Sequence, residues 1–195
     1  MPRGYFWTNA GLEPKRAFRF KVSIGAFEAG VASDGQWMAK SVTKPAVTVG
    51  ETPHKFLNHT FYYPGQVTWN TCTIVLVDPA YPDATHALLG TLNKSGYAIP
   101  RDNMNSPMTT IGKGSAVGNL NNIVIRALDA EGNDLEKWTL KNPWIKNISF
   151  NDYSYESEEL ATVTLEVRYD WARYEVTGPE THTRIAVDGV DDTLF

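Results

Sequence analysis

From Leu160 to Trp171 the chain alternates. Ala161, Val163, Leu165, Val167, Tyr169 and Trp171 are apolar, while Thr162, Thr164, Glu166, Arg168 and Asp170 are polar or charged. Successive side chains on a strand point to opposite faces, so this stripe predicts a strand with one dry and one hydrated face. The hydrated face carries hydroxyls and both signs of charge, without a constellation that performs chemistry. Such a strand, continuing to about Val176, suits the wall of a large assembled barrel or sheet better than an active site.

The length of 195 residues supports one well-buried domain. No repeat or linker divides it, so a single domain over 1–195 is expected. Apolar residues at 42% and aromatics at 12% exclude a disordered chain. No segment approaches the roughly 20 apolar residues of a membrane-spanning helix, so no membrane partner is expected. The start, Met1-Pro2-Arg3-Gly4-Tyr5-Phe6-Trp7, lacks the apolar segment of a secretory signal. Cys72 stands alone, which excludes an internal disulfide and fits a reducing compartment.

Charge is unevenly distributed. Residues 1–55 hold eight Lys/Arg and four Asp/Glu, whereas residues 150–195 hold three and eleven. Polarity of this kind can orient head-to-tail association, and equally it can serve solubility alone.

Along the chain, residues 1–16 read as an arm, and Phe18, Phe20, Val22 and Ile24 alternate as a strand. Short extended runs follow at Trp37–Val42 and Ala46–Val49. Next come two strands, His54–Tyr63 and Gln66–Val77, flanking Tyr63-Pro64-Gly65-Gln66, which predicts a hairpin turned at Pro-Gly. Pro82 and Asp83 open the one good amphipathic helix, to about Asn93, with Tyr81, Ala84, Leu88 and Leu92 on a face, Leu89 beside them and Gly96 as a stop. The Gly/Ser/Asn-rich stretch 101–119 reads as a long loop. Strands resume at Asn122–Leu128, Leu135–Leu140, Trp144–Phe150 and Leu160–Val176, and an acidic tail spans 177–195. The expected class is mainly β: a two-sheet antiparallel sandwich or barrel with one flanking helix and a long loop.

Motifs of chemistry are absent. His54 and His59, five apart on one expected strand, would face opposite ways. With His86 and His182 they form no convergent zinc set. Gly112-Lys113-Gly114-Ser115 lacks the spacing of a phosphate loop, and Glu156, Glu158 and Glu159 run together instead of following a calcium-loop pattern. No catalytic residue, cofactor site or metal site is expected. The many aromatics could stack on sugars or bases, but those on both faces of His54–Tyr63 fit a core face plus a subunit contact more simply. Trp37, Phe56, Phe61 and Tyr62 are the candidate inter-subunit residues. A carbohydrate-binding sandwich remains an alternative from a different class.

Over residues 36–97 a more specific pattern emerges. Trp37-Met-Ala-Lys-Ser-Val-Thr-Lys-Pro45, Glu51, His54-Lys-Phe-Leu-Asn-His59, Phe61-Tyr-Tyr-Pro-Gly65, Val67-Thr-Trp-Asn70, Val77-Asp-Pro79 and Leu92-Asn-Lys-Ser-Gly-Tyr97 together resemble the tail tube proteins of contractile-tailed bacteriophages. The resemblance is good over about 15–100 and architectural beyond. It implies a non-enzymatic virion subunit, assembled in the host cytoplasm, whose hexameric rings stack into a hollow tube. One sheet of each copy would line the channel through which DNA and the tape-measure protein pass. The partners it implies are further copies of the chain, the sheath protein, and baseplate and tail-terminator proteins. The same fold serves type VI secretion and other contractile injection tubes, so fold alone does not choose between them. On this reading Thr162, Thr164, Glu166, Arg168 and Asp170 form the lumen face, and an acidic lumen would repel DNA phosphates.

Overall fold

The computed structural model describes residues 14–28, 38–81, 83–97, 110–156, 158–177 and 193–194. In chain order the elements are β1 (Phe20–Ile24), α1 (Gly25–Glu28), β2 (Ala39–Val42), β3 (Val47–Phe56), β4 (His59–Trp69), β5 (Cys72–Val77), α2 (Ala84–Lys94) and α3 (Lys113–Leu120). Then follow β6 (Ile123–Leu128), β7 (Asp134–Lys141), β8 (Trp144–Phe150), β9 (Thr162–Arg168), β10 (Trp171–Val176) and β11 (Thr193–Leu194). Period-two alternation places Cys72, Ile74 and Leu76 of β5 on one face with Val163, Leu165 and Val167 of β9. They meet Val22, Ile24, Ile123, Ile125, Leu140 and Ala172 from a second sheet, and all twelve are 5% exposed or less. Burying a Val, Leu or Ile side chain contributes about 1.5–3 kcal/mol, so this contact is what drives the two sheets together.

The fold is thus a mainly β, antiparallel sandwich. A five-stranded sheet, ordered β1-β6-β7-β10-β11, packs on a four-stranded sheet, ordered β2-β5-β9-β8. The strand pair β3-β4 forms a sheet of its own. Helix α2 begins as expected: the Asp83 carboxylate accepts the His86 N–H at 2.9 Å, capping a free donor of the first turn. Its Ala84 and Leu88 are buried, and Gly96, at φ 116°, follows its end. Leu88 and Leu120, from α2 and α3, join the core.

The structure departs from the sequence reading in four places. First, the stripe read as one strand to Val176 divides between layers: β9 ends at Arg168 in one sheet and β10 starts at Trp171 in the other. Tyr169 and Ala172 are buried while Trp171 is 40% exposed, so the alternation breaks at this corner. Asp170 therefore does not continue the hydrated face. It accepts from Lys113 at 2.8 Å and from Asn142 at 2.9 Å, tying the corner to α3 and to the β7–β8 connection.

Second, the hairpin turns at Leu57-Asn58 instead of Pro64-Gly65. Its strands are Val47–Phe56 and His59–Trp69, and Cys72–Val77 belongs to the four-stranded sheet. Pro64 pairs with Glu51 beside a bulge, where a Cβ on Gly65 would meet the Gly50 carbonyl at 3.1 Å. Here the Pro-Gly signal marks a close backbone approach within a strand.

Third, residues 113–120 of the expected loop are helix α3, a second flanking helix. Gly114 and Gly118 each cost about 1 kcal/mol of propensity relative to Ala, but Ala116 and Leu120, four apart, are buried. Fourth, the tail returns: β11 pairs with β10, Leu194 opposite Tyr174. Arm residues 1–13, Trp37, loop residues 98–109 and tail residues 178–192 lie outside the described residues.

Candidate functional site

On the side of β9 away from the core, register places Thr162 opposite Val77, Thr164 between Val75 and Ser149, and Glu166 between Thr73 and Asn147. Arg168 pairs with Trp144. All four β9 side chains are partly exposed. A bulge between Ile145 and Asn147 brings Lys146 over this face, where its Nζ donates to Glu166 at 2.8 Å. Hydrogen bonds from Lys146 and then Thr71 hold the Glu166 carboxyl below the usual carboxylate range. With Asp170 at the corner, the face sets Lys146 and Arg168 against Glu166. The acidic surplus expected from sequence is missing from it.

The sheet that bears this face is open. Strands β2 and β8 are its two edges and, among the described residues, neither has an outer strand partner. Unpaired edges are templates for another chain.

The β3-β4 hairpin leaves the sandwich where Asn70 donates to the Ala46 carbonyl at 2.8 Å. Ten residues of β3 extend about 33 Å at roughly 3.3 Å per residue. Its base touches the body through Trp69, whose ring lies 6.0 Å from that of Tyr169. The expectation that one face of this segment is core is therefore wrong: every β3 residue is exposed. Register puts His54 opposite Phe61 and Phe56 opposite His59, so His54, Phe56, His59 and Phe61 share a face, whereas Tyr62 lies on the other. The two histidines face the same way because the turn falls between them. Phe56, Phe61 and Tyr62 are 62%, 46% and 64% exposed, and these candidate contact residues occupy a projecting arm.

At the opposite end of the four-stranded sheet, the loop 151–161 joins β8 to β9. Asn151 donates to Thr162 and Asp78 to Ala161, both backbone to backbone, which fixes its base. It frames a cleft of about 530 Å³ lined by Asp152, Tyr153, Tyr155, Glu159 and Leu160. Sequence reading noticed its acids as a solvated turn but not the cleft, because Tyr153, Tyr155 and Leu160 converge only through the loop's path.

Among the described residues, neither of the two further candidates for chemistry, a second cleft and a lone thiol, is free to act. A cleft of about 640 Å³ lies between α2, α3, β8 and the corner, but its Lys113 and Asp170 bind each other. Burial pushes the Cys72 thiol up to about 11, and its Sγ donates to the Thr43 carbonyl, so it is an inert core group. Among the described residues no three His, Cys, Asp or Glu side chains converge to hold a metal, and no helix is long and apolar enough to cross a membrane. Near the hairpin base the Glu136 carboxylate, 5% exposed, binds both Lys15 and Lys44. Burial works to raise its pKa, but the two ammonium groups outweigh that and hold it below the usual range.

No protein-family model matches the sequence, and no curated protein matches it. Solved structures do match in fold. A chain of the sheath–tube complex of the PVC extracellular contractile injection system, in its extended state, superposes with TM-score 0.60 at 15% identity, covering 89% of this chain and 99% of that one. The PVC sheath/tube terminator gives 0.60 at 15%, with 86% and 100% covered. The tube terminating cap of the anti-feeding prophage gives 0.59 at 15%, with 86% and 95% covered. These likenesses span nearly the whole length of each chain compared. The protein has the fold of the tube and tube-terminator proteins of contractile injection systems.

Proposed function

We propose that this chain is the structural subunit of a contractile phage tail tube. Copies join side by side into hexameric rings, and the rings stack head to tail inside a sheath, between baseplate and terminator. The channel carries DNA and the tape-measure protein, and no reaction is catalysed. The tube is part of the virion and is assembled in the host cytoplasm. The observation that carries this reading is the four-stranded sheet: dry on one face, hydrated on the other and open at both edges. Pairing β8 of one copy with β2 of the next closes the edges and turns Thr162, Thr164, Glu166 and Arg168 toward a common interior. Phe56, Phe61 and Tyr62 on the hairpin supply contacts between copies, and Trp37 is assigned the same role from its sequence alone. Electron microscopy of the concentrated purified protein tests this. Rings or hollow tubes are expected, and a persistent monomer, even with initiating baseplate factors, contradicts it.

One observation favours a second reading, the tube of an injection particle without a genome. The hydrated face balances Lys146 against Glu166 and leaves Arg168 over, so it lacks the anionic surplus that keeps DNA phosphates off a channel wall. Retention of duplex DNA by assembled tubes at low salt supports this reading. Free passage supports the phage tube.

A further inference from the structure

We propose that the tip of the β3-β4 hairpin plugs into the 151–161 cleft of a copy in the adjoining ring. The proposal rests on the tube reading above and names the two surfaces that meet when rings stack. The hairpin leaves the end of the sheet where Thr43 and Thr73 meet, and the cleft stands at the other end, where Val77 pairs with Thr162. The base of the arm and the cleft thus stand at opposite ends of one sheet, an arrangement suited to a head-to-tail contact between copies. A contact between two different patches propagates without closing, as a stack of rings requires.

Shape and chemistry match as well. The tip presents Phe56 and Leu57, 62% and 89% exposed, with Lys55 beside them. The cleft offers Tyr153 and Leu160, 89% and 67% exposed, as apolar walls. Its loop carries Asp152, Glu156, Glu158 and Glu159 and no lysine or arginine. An aromatic-aliphatic knob with a cation thus faces an acidic apolar socket. The knob is held out at a conformational cost, since Leu57 has φ 51°, a region that disfavours branched side chains. A residue whose only service was to turn the chain would be glycine there.

Cross-linking of the full-length chain tests the pairing. Leu57→Cys is combined in turn with Tyr153→Cys, Tyr155→Cys and Leu160→Cys, and assembled material is oxidised. Buried Cys72 does not compete. At least one pair is expected to give a ladder of covalent multimers. Lys55→Glu is expected to raise the concentration needed for tubes about tenfold at low salt, and Glu156→Lys with Glu158→Lys is expected to restore it. Thermal melting verifies that each variant is folded. If wild-type protein forms tubes, cysteine variants that assemble yet give no ladder from any pair, together with unchanged assembly of Lys55→Glu, overturn the proposal while leaving the tube reading intact. Wild-type protein that never forms rings or tubes overturns both.

Discussion

At Leu57, φ is 51° and the side chain is 89% exposed. For a residue with a Cβ the left-handed region costs roughly 1–2 kcal/mol. Leu57→Gly is expected to raise unfolding free energy by about 1 kcal/mol in denaturant titration while weakening assembly, because the knob is lost. Glu136 is the residue-scale opposite, a buried carboxylate held by Lys15 and Lys44. Its folded pKa is depressed, so its contribution is complete above the ordinary carboxylate range and disappears as pH falls through the folded value. The melting-temperature gap between wild type and Glu136→Gln should therefore close on acidification. Replacing both lysines with Met leaves the carboxylate buried without a counter-charge, at an expected cost of about 3 kcal/mol. Thr162, Thr164, Glu166 and Arg168 were legible in the sequence because alternation alone fixes their side of the strand. Asp170 was not, since nothing local to it records the corner that Lys113 and Asn142 hold from afar.

Among elements, β9 tests the division between dry and hydrated faces. Leu165→Ala should cost 2–5 kcal/mol through lost burial and a cavity, whereas Thr164→Ala should stay within about 0.5 kcal/mol. Denaturant unfolding of the two variants decides this, and equal losses would place both residues in the core. The β3-β4 hairpin makes a different demand. Among the described residues its only sizeable element contact is between its own two strands, so joining Val47 to Trp69 through a short Gly-rich turn should leave a folded monomer that melts close to wild type and forms no tubes. The hairpin expected from the sequence was a different one, joining His54–Tyr63 to Gln66–Val77, and the true turn at Leu57-Asn58 falls inside its first strand. A Pro-Gly pair signals a turn strongly, yet here Gly50 and Gly65 let two backbones approach at a bulge. Helix α3 escaped for the converse reason: its glycines argue against a helix, and packing of Ala116 and Leu120 overrides them.

For the whole molecule, the four-stranded sheet ends in β2 and β8, which among the described residues have no outer strand partner. The uneven charge noticed in the sequence acquires a place: the acids of 151–161 and the base of the hairpin that carries Lys55 lie at opposite ends of the four-stranded sheet. Stacking that relies on such charges should weaken as salt shortens the screening length, while ring closure through backbone pairing and apolar contact should persist. The two-sheet sandwich and the capped helix α2 were foreseeable because alternation and helix capping act locally. The open edges were not, since they depend on which strands end up outermost. Cryo-electron microscopy of the assembled full-length protein tests the central claim most directly. Rings joined through β2 and β8, with Thr164 and Glu166 lining a continuous channel, are the expected result. An assembly that turns those two side chains to its outer surface, or a lone molecule under every condition that supports assembly, would contradict it.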